Sequence, residues 1–170
     1  KIAHGFGMKV VAFDVYRNEA LSREYGFPYM PLEEVLEASD FVTLHVPLTP
    51  ETEHLIDRSA LRRMKKGSIL INTARGKVVD ETALKEALDS GHLAAAGLDV
   101  IADENRPEDD PLIGSERVII TPHIAFYTEE VMDRMIGESI RIIKEFKEGK
   151  VVNEVPPEYV KKMVRTQPQD

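Results

Sequence analysis

At 170 residues, 42% apolar and 31% charged, the chain has the length and composition of one globular domain with a sizeable core and is short for two. Its net charge of −8, from 22 basic and 30 acidic residues, argues against a general nucleic-acid or anionic-membrane surface. With no cysteine, disulfides, thiolate zinc sites and a cysteine nucleophile are excluded, and cytoplasmic residence fits.

No apolar run approaches the length of a membrane span. The chain opens at Lys1-Ile2-Ala3-His4 without an initiator Met, which reads as the middle of a helix and therefore as a fragment. That helix ends by Phe6, with Gly5 or Gly7 closing it in the left-handed conformation. Gly5-Phe6-Gly7 does not read as a dinucleotide fingerprint, because the third glycine of GxGxxG falls on Val10 and a strand follows where a helix should. Met8 to Tyr16 is that strand, carrying Asp14 near its carboxyl end, and Asn18 to Glu24 is a short helix. Pro31 is placed as the first residue of the next helix, where Leu32, Val35 and Leu36 share a face. Phe41 to Val46 is a strand ended by Pro47, and Arg58 to Met64 a short helix closed by the turn Lys65-Lys66-Gly67.

Ser68 to Ile71 is an apolar run that suits a strand covered on both faces, and it turns polar abruptly at Asn72-Thr73-Ala74-Arg75-Gly76. Asp80 caps a helix through Leu88, with Leu84, Ala87 and Leu88 inward and Ser90-Gly91 stopping it. Leu93 to Val100 is a strand of small residues, followed by a loop dense in acids and prolines to Glu116 and a short strand, Arg117 to Ile120. Thr128 to Glu148 is the longest helix, with Val131, Met135, Ile136, Ile140, Ile143 and Phe146 as a buried stripe. Val151 to Asp170 loses the pattern and reads as an arm or frayed tail. The alternation of strands and helices predicts an α/β fold, a doubly wound parallel sheet.

In such sheets ligands sit beyond the carboxyl ends of the strands, where this chain places Asp14, His45 with Pro47, Arg75 and Asp99. Arg75 offers a planar fork of donors to a carboxylate, although alone it reads more readily as half of a surface ion pair. Asp14 can accept both hydroxyls of an adenosine ribose or simply end a strand as a turn acid. Glu104 and His123 fall at the same predicted edge; if they meet, the imidazole has a fixed tautomer and can exchange a proton with a substrate hydroxyl. The remaining histidines His4, His45, His54 and His92 lack ligand spacing, so no metal site is expected. Neither a GxxxxGK[ST] loop nor a GxSxG elbow is present.

Leu44-His45-Val46-Pro47-Leu48-Thr49, Asn72-Thr73-Ala74-Arg75-Gly76, Gly97-Leu98-Asp99-Val100 and Thr121-Pro122-His123-Ile124-Ala125, in that order, resemble the D-isomer-specific 2-hydroxyacid dehydrogenases from about Lys1 to about Lys150. The resemblance implies a Rossmann-type NAD-binding domain over residues 1–150, whose first strand and glycine-rich loop would lie upstream of Lys1, with 151–170 as a C-terminal arm. It implies hydride transfer between NAD(H) and a D-2-hydroxy acid/2-keto acid pair. Arg75 would bind the substrate carboxylate, and His123 would be the acid/base with Glu104 as its partner. Where the family usually has Glu-Pro, this chain has Glu104-Asn105. Asp14 would bind the adenosine ribose, Val46, Pro47, Thr52, Thr73, Ala74 and Arg75 would line the cofactor site, and Asp99 would hold the nicotinamide carboxamide. NAD is favoured over NADP because Asp14 repels a 2′-phosphate, with Arg17 nearby as a counter-argument.

A homodimer is the family expectation, and this 170-residue piece alone is expected to bind NAD poorly and not to turn over. His123-Ile-Ala-Phe-Tyr-Thr128 looks closer to the D-lactate dehydrogenase branch than to the phosphoglycerate or glyoxylate branches. A reading from another class is an NAD-sensing corepressor-like scaffold, since C-terminal-binding proteins resemble the same family and keep its Arg, Glu and His. Turnover of 2-keto acids with NADH separates the two.

Overall fold

The computed structural model describes residues 1–154. The chain divides into two compact units, Lys1–Ala125 and Phe126–Asp170. The first holds α1 (Ile2–Gly5), α2 (Glu19–Tyr25), α3 (Leu32–Ala38), β1 (Phe41–Leu44), α4 (Arg58–Arg63), β2 (Ile69–Asn72), α5 (Glu81–Asp89), β3 (Ala95–Leu98) and β4 (Val118–Ile120), and the second holds α6 (Glu129–Lys147). The strands form one parallel sheet in the order β1-β2-β3-β4, with Phe41 opposite Ile69, Leu70 opposite Ala96 and Leu98 opposite Ile120. This is the expected α/β fold, and its parallel strands put every carboxyl end on one edge.

Local chemistry sets the helix ends. Asn18, Asp57 and Asp80 each accept a hydrogen bond from a first-turn amide, at 3.1, 2.8 and 3.0 Å respectively. Pro31, expected as the first residue of α3, stands instead at its N-cap, one position before the helix begins at Leu32, where its missing N–H is equally harmless. Gly7 (φ 72°) takes the left-handed turn after α1.

The core lies on one face of the sheet. Val42, Leu44, Leu70, Ala96 and Leu98 meet Leu36 of α3, Ala60 and Leu61 of α4, and Ala83, Leu84 and Leu88 of α5. Alternate residues of β1 to β3 point away from it, so Ile69 and Ile71 are only half-buried while Leu70 is fully buried. The expectation that this strand is covered on both faces therefore holds for one face within the described residues. An apolar run shows that a strand avoids water, whereas coverage depends on which elements pack against it.

Two further expectations are corrected. Met8 to Tyr16 forms no strand of the sheet; it is extended, with one parallel bridge, Ala12 to Tyr29. β-propensity in MKVVAFDVY supplies side chains suited to a sheet, but a ladder also needs a neighbouring backbone, and here only 28–30 provides one. The stripe on α6 is not buried: Met135, Ile136, Ile140, Ile143 and Phe146 are all exposed. Periodicity identifies the face that seeks apolar contact and not what supplies it. The tail expected over 151–170 lies outside the described residues from 155 onward.

Leu70 is completely buried at the centre of the sheet, so Leu70→Ala should destabilise the domain by about 2–5 kcal/mol in urea unfolding. Lys85→Ala, which removes only an exposed i,i+4 pair with Asp89, should change stability by less than about 0.5 kcal/mol.

Candidate active site

The tips of β2, β3 and β4 are tied together by backbone bonds that continue the sheet past its last residues. Asp99 N–H donates to Asn72 O at 2.9 Å, and His123 N–H donates to Asp99 O at 2.8 Å. The side chains of Asn72 and Asp99 then shape the two loops that leave this edge.

Asn72, the last residue of β2, is buried, and its amide folds the NTARG turn. Its Oδ1 accepts Ala74 N–H at 3.0 Å and its Nδ2 donates to Arg75 O at 2.9 Å. The turn needs one acceptor and one donor from a single short side chain, which an amide has and a carboxylate lacks. Thr73 and Arg75 face solvent and Ala74 is buried; the Arg75 guanidinium donates to Ala74 O at 2.6 Å. At Gly76 a Cβ would lie 2.0 Å from the Ile101 carbonyl carbon and 2.4 Å from Ala102 N. The arginine loop therefore rests directly on the backbone of the loop that carries Glu104.

Asp99 is 5% exposed, and its carboxylate is filled by the turn after β4. Oδ1 accepts the Thr121 hydroxyl at 2.5 Å and Ile124 N–H at 2.9 Å, and Oδ2 accepts Ala125 N–H at 2.8 Å. Burial by itself would raise this carboxyl, but the Thr121 hydroxyl and the Ala125 and Ile124 amides outweigh it and hold the group below its ordinary value. Between Thr121 and Ile124 sits His123 with φ 53°, a left-handed conformation that costs a side-chain-bearing residue about 1–2 kcal/mol. The Asp99 bonds hold it there.

His123 Nδ1 lies 3.0 Å from Glu104 Oε2, with both side chains about half-exposed. A carboxylate only accepts, so Nδ1 carries the proton in the neutral ring and Nε2 is left as the acceptor. Glu104 is displayed by a loop in which Asp103 accepts Asn105 N–H at 3.1 Å and pairs with Arg106 at 3.0 Å. Asn105, the departure from Glu-Pro, thus supplies an amide that proline does not have. Arg106, followed by the Asn105 amide, holds the Asp103 carboxyl below its ordinary value.

The other expected residues lie as follows. Asp14 is exposed, one oxygen accepting Tyr16 N–H at 2.8 Å in a turn. Arg17 lies 5.9 Å from the Tyr29 ring centroid in a cation–π arrangement. Val46 is half-buried against the core, and Thr52 binds Pro47 O through its hydroxyl at 2.6 Å while accepting Thr49 N–H at 2.8 Å. No group of three or more metal-ligating side chains occurs among the described residues. Sequence reasoning missed the turn-forming role of Asn72; its signal was a polar residue closing an apolar strand.

The sequence matches a family model described as "D-isomer specific 2-hydroxyacid dehydrogenase, NAD binding domain" over residues 1–125. The chain belongs to the D-isomer-specific 2-hydroxyacid dehydrogenases. It is 48% identical over 162 residues to the glyoxylate reductase of Korarchaeum cryptofilum, covering 95% of this chain and 48% of that protein. It is 43% identical to the hydroxypyruvate reductase of Blautia hydrogenotrophica, over 91% of this chain and 48% of that one. The crystal structure of D-lactate dehydrogenase from Aquifex aeolicus, complexed with NAD and lactic acid, superposes with a TM-score of 0.80 at 41% identity, covering 87% of this chain and 49% of that one. The chain thus spans about half the length of these relatives.

Asp99→Asn would set an amide N–H2 against the amides that Asp99 now accepts, and should destabilise the domain by about 1–3 kcal/mol at neutral pH. Native Asp99 binds fewer protons than the unfolded chain, so its contribution is present above the ordinary Asp range and is lost as pH falls through the lowered native value. Urea unfolding of wild type and variant should accordingly converge in acid.

Proposed function

We propose that residues 1–150 are the cofactor half of an NAD-dependent D-2-hydroxyacid dehydrogenase, interconverting a short 2-keto acid and its D-2-hydroxy acid. The observation that carries this reading is the His123–Glu104 pair at 3.0 Å, on the sheet edge where the NTARG turn presents Arg75. The nicotinamide supplies or accepts the hydride when bound. Arg75 holds the substrate carboxylate with its planar donor fork and favours charge on the C2 oxygen. His123 exchanges the proton with that oxygen, in an orientation fixed by Glu104 at Nδ1 and by Asp99 through the turn. Half-exposed side chains at this pair suit a site that needs a substrate to come and go.

The donor set fits the cofactor. Asp14 has an exposed carboxylate for the ribose hydroxyls, and Arg17 is engaged with Tyr29, which favours NAD over its 2′-phosphorylated form. Val46, Pro47, Thr52, Thr73 and Ala74 line the edge between β1 and β2, where the Thr52–Pro47 bond shapes the loop. Three of roughly four acceptor positions on Asp99 are taken, which leaves one for the carboxamide N–H2. A short substrate agrees with the relatives, which include a glyoxylate reductase and a D-lactate dehydrogenase solved with lactic acid. The His123-Ile-Ala-Phe-Tyr sequence favours the lactate-like end of that range. A homodimer in the cytoplasm completes the reading, on family resemblance alone.

In the protein that carries this domain, Arg75→Lys and His123→Ala should each lower kcat/KM for 2-keto acid reduction by NADH by about 10²–10⁴-fold. Near-normal kcat/KM in either variant removes the role assigned to that residue.

A further inference from the structure

Beyond the residues above, two more carboxyls, those of Glu81 and Asp110, lie behind the Glu104 loop. Glu81, in the first turn of α5, is half-buried, and its Oε1 accepts Ala102 N–H at 2.6 Å. Asp110 closes the same loop; its Oδ1 accepts Leu112 N–H at 2.8 Å, while its Oδ2 is buried and has no hydrogen-bond partner among the described residues. Asp110 is a side-chain hydrogen-bond neighbour of Glu81, so two ionised acids would stand together with a buried lone pair left empty; one proton between them resolves both problems at once. We infer that Glu81 and Asp110 share a proton, Glu81 donating to Asp110 Oδ2, and that this clamp fixes both ends of the 102–110 loop so that Glu104 meets His123.

The placement supports this. Glu104 sits between the two anchored points, Ala102 and Asp110, and the near end of the loop already rests on Gly76 beside Arg75. The charged groups acting on Glu81 are Asp110 from the loop and Asp80 from the cap of its own helix, both acidic. Lys85, one turn along α5, is paired with Asp89 instead. Burial first, and then the Asp110 charge, push the Glu81 carboxyl up to about 7. The native state thus binds more protons here than the unfolded chain. The clamp's stability is fully present in mild acid, below the ordinary Glu range, and is lost as pH rises through about 7. Glu81 is on this account a positioning residue, which rests on the acid/base reading of His123 and Glu104.

The test uses the protein that carries this domain. E81Q keeps an acceptor for Ala102 and supplies a permanent N–H donor to Asp110, so it should hold the clamp at every pH; E81A removes both. Urea unfolding from mild acid to mild alkali should show wild-type stability falling across neutrality and E81Q without that fall, and identical profiles would overturn the shared proton. E81A should lower kcat at neutral pH on the order of tenfold, a part of the 10²–10⁴ that an acid–base group supplies, and should change the His123 ring signals in NMR. E81Q should restore kcat to within about twofold of wild type, removing the alkaline loss of activity. Unchanged kcat and His123 signals in E81A would overturn the positioning role. Because the unfolding profile does not depend on turnover, it still tests the shared proton if His123→Ala proves active and the acid/base reading fails.

Discussion

The buried carboxylate of Asp99 holds the functional edge together. Its backbone continues the sheet from Asn72 on one side to His123 on the other, and its side chain accepts a hydroxyl and two amides from the turn beyond β4. A neutral side chain of the same size has fewer acceptors to offer. A carboxylate survives burial only because those three donors compensate for the lost water. The same bonds stabilise a histidine in a backbone conformation that it would otherwise avoid. A single acid therefore links the stability of the sheet edge to the geometry of His123.

The second constraint is steric. Gly76 allows the arginine turn and the Glu104 loop to touch backbone to backbone, with no room for a Cβ between them. Two residues from different strand ends, Arg75 and Glu104, are thus referred to one common surface instead of each floating on its own loop. Asn72 folds one side of that contact, and Glu81 holds the other by accepting the Ala102 N–H. Arg75 and Glu104 face solvent, while the groups that fix them are buried or half-buried. This division is what an enzyme needs if the substrate must enter but the geometry must not wander.

Much of this was legible in the residues. The strand–helix alternation gave the parallel α/β sheet, and the turn residue Gly7 and the cap Asp80 stand where the element ends fall. His123, Glu104 and Arg75 stand where the strand ends put them, and the His–Glu contact exists. Less legible were features that depend on a neighbour. Met8–Tyr16 has the composition of a strand and pairs through a single bridge, and the apolar stripe of α6 is exposed. Both show that periodicity states a requirement without naming what meets it.

The sequence by itself determined the class of fold, the family and the chemical identity of the candidate groups, because hydrophobic period, turn residues and short motifs are local properties of the chain. Tertiary structure decided what each polar group does. Nothing in the order of residues says that Asp99 spends most of its acceptors on the histidine turn, that Asn105 is useful for its N–H, or that Glu81 holds the Ala102 amide across a loop. Those facts arise from distances between residues far apart in the chain. The strength of a hydrogen bond or a charge depends on the burial that only the folded arrangement creates.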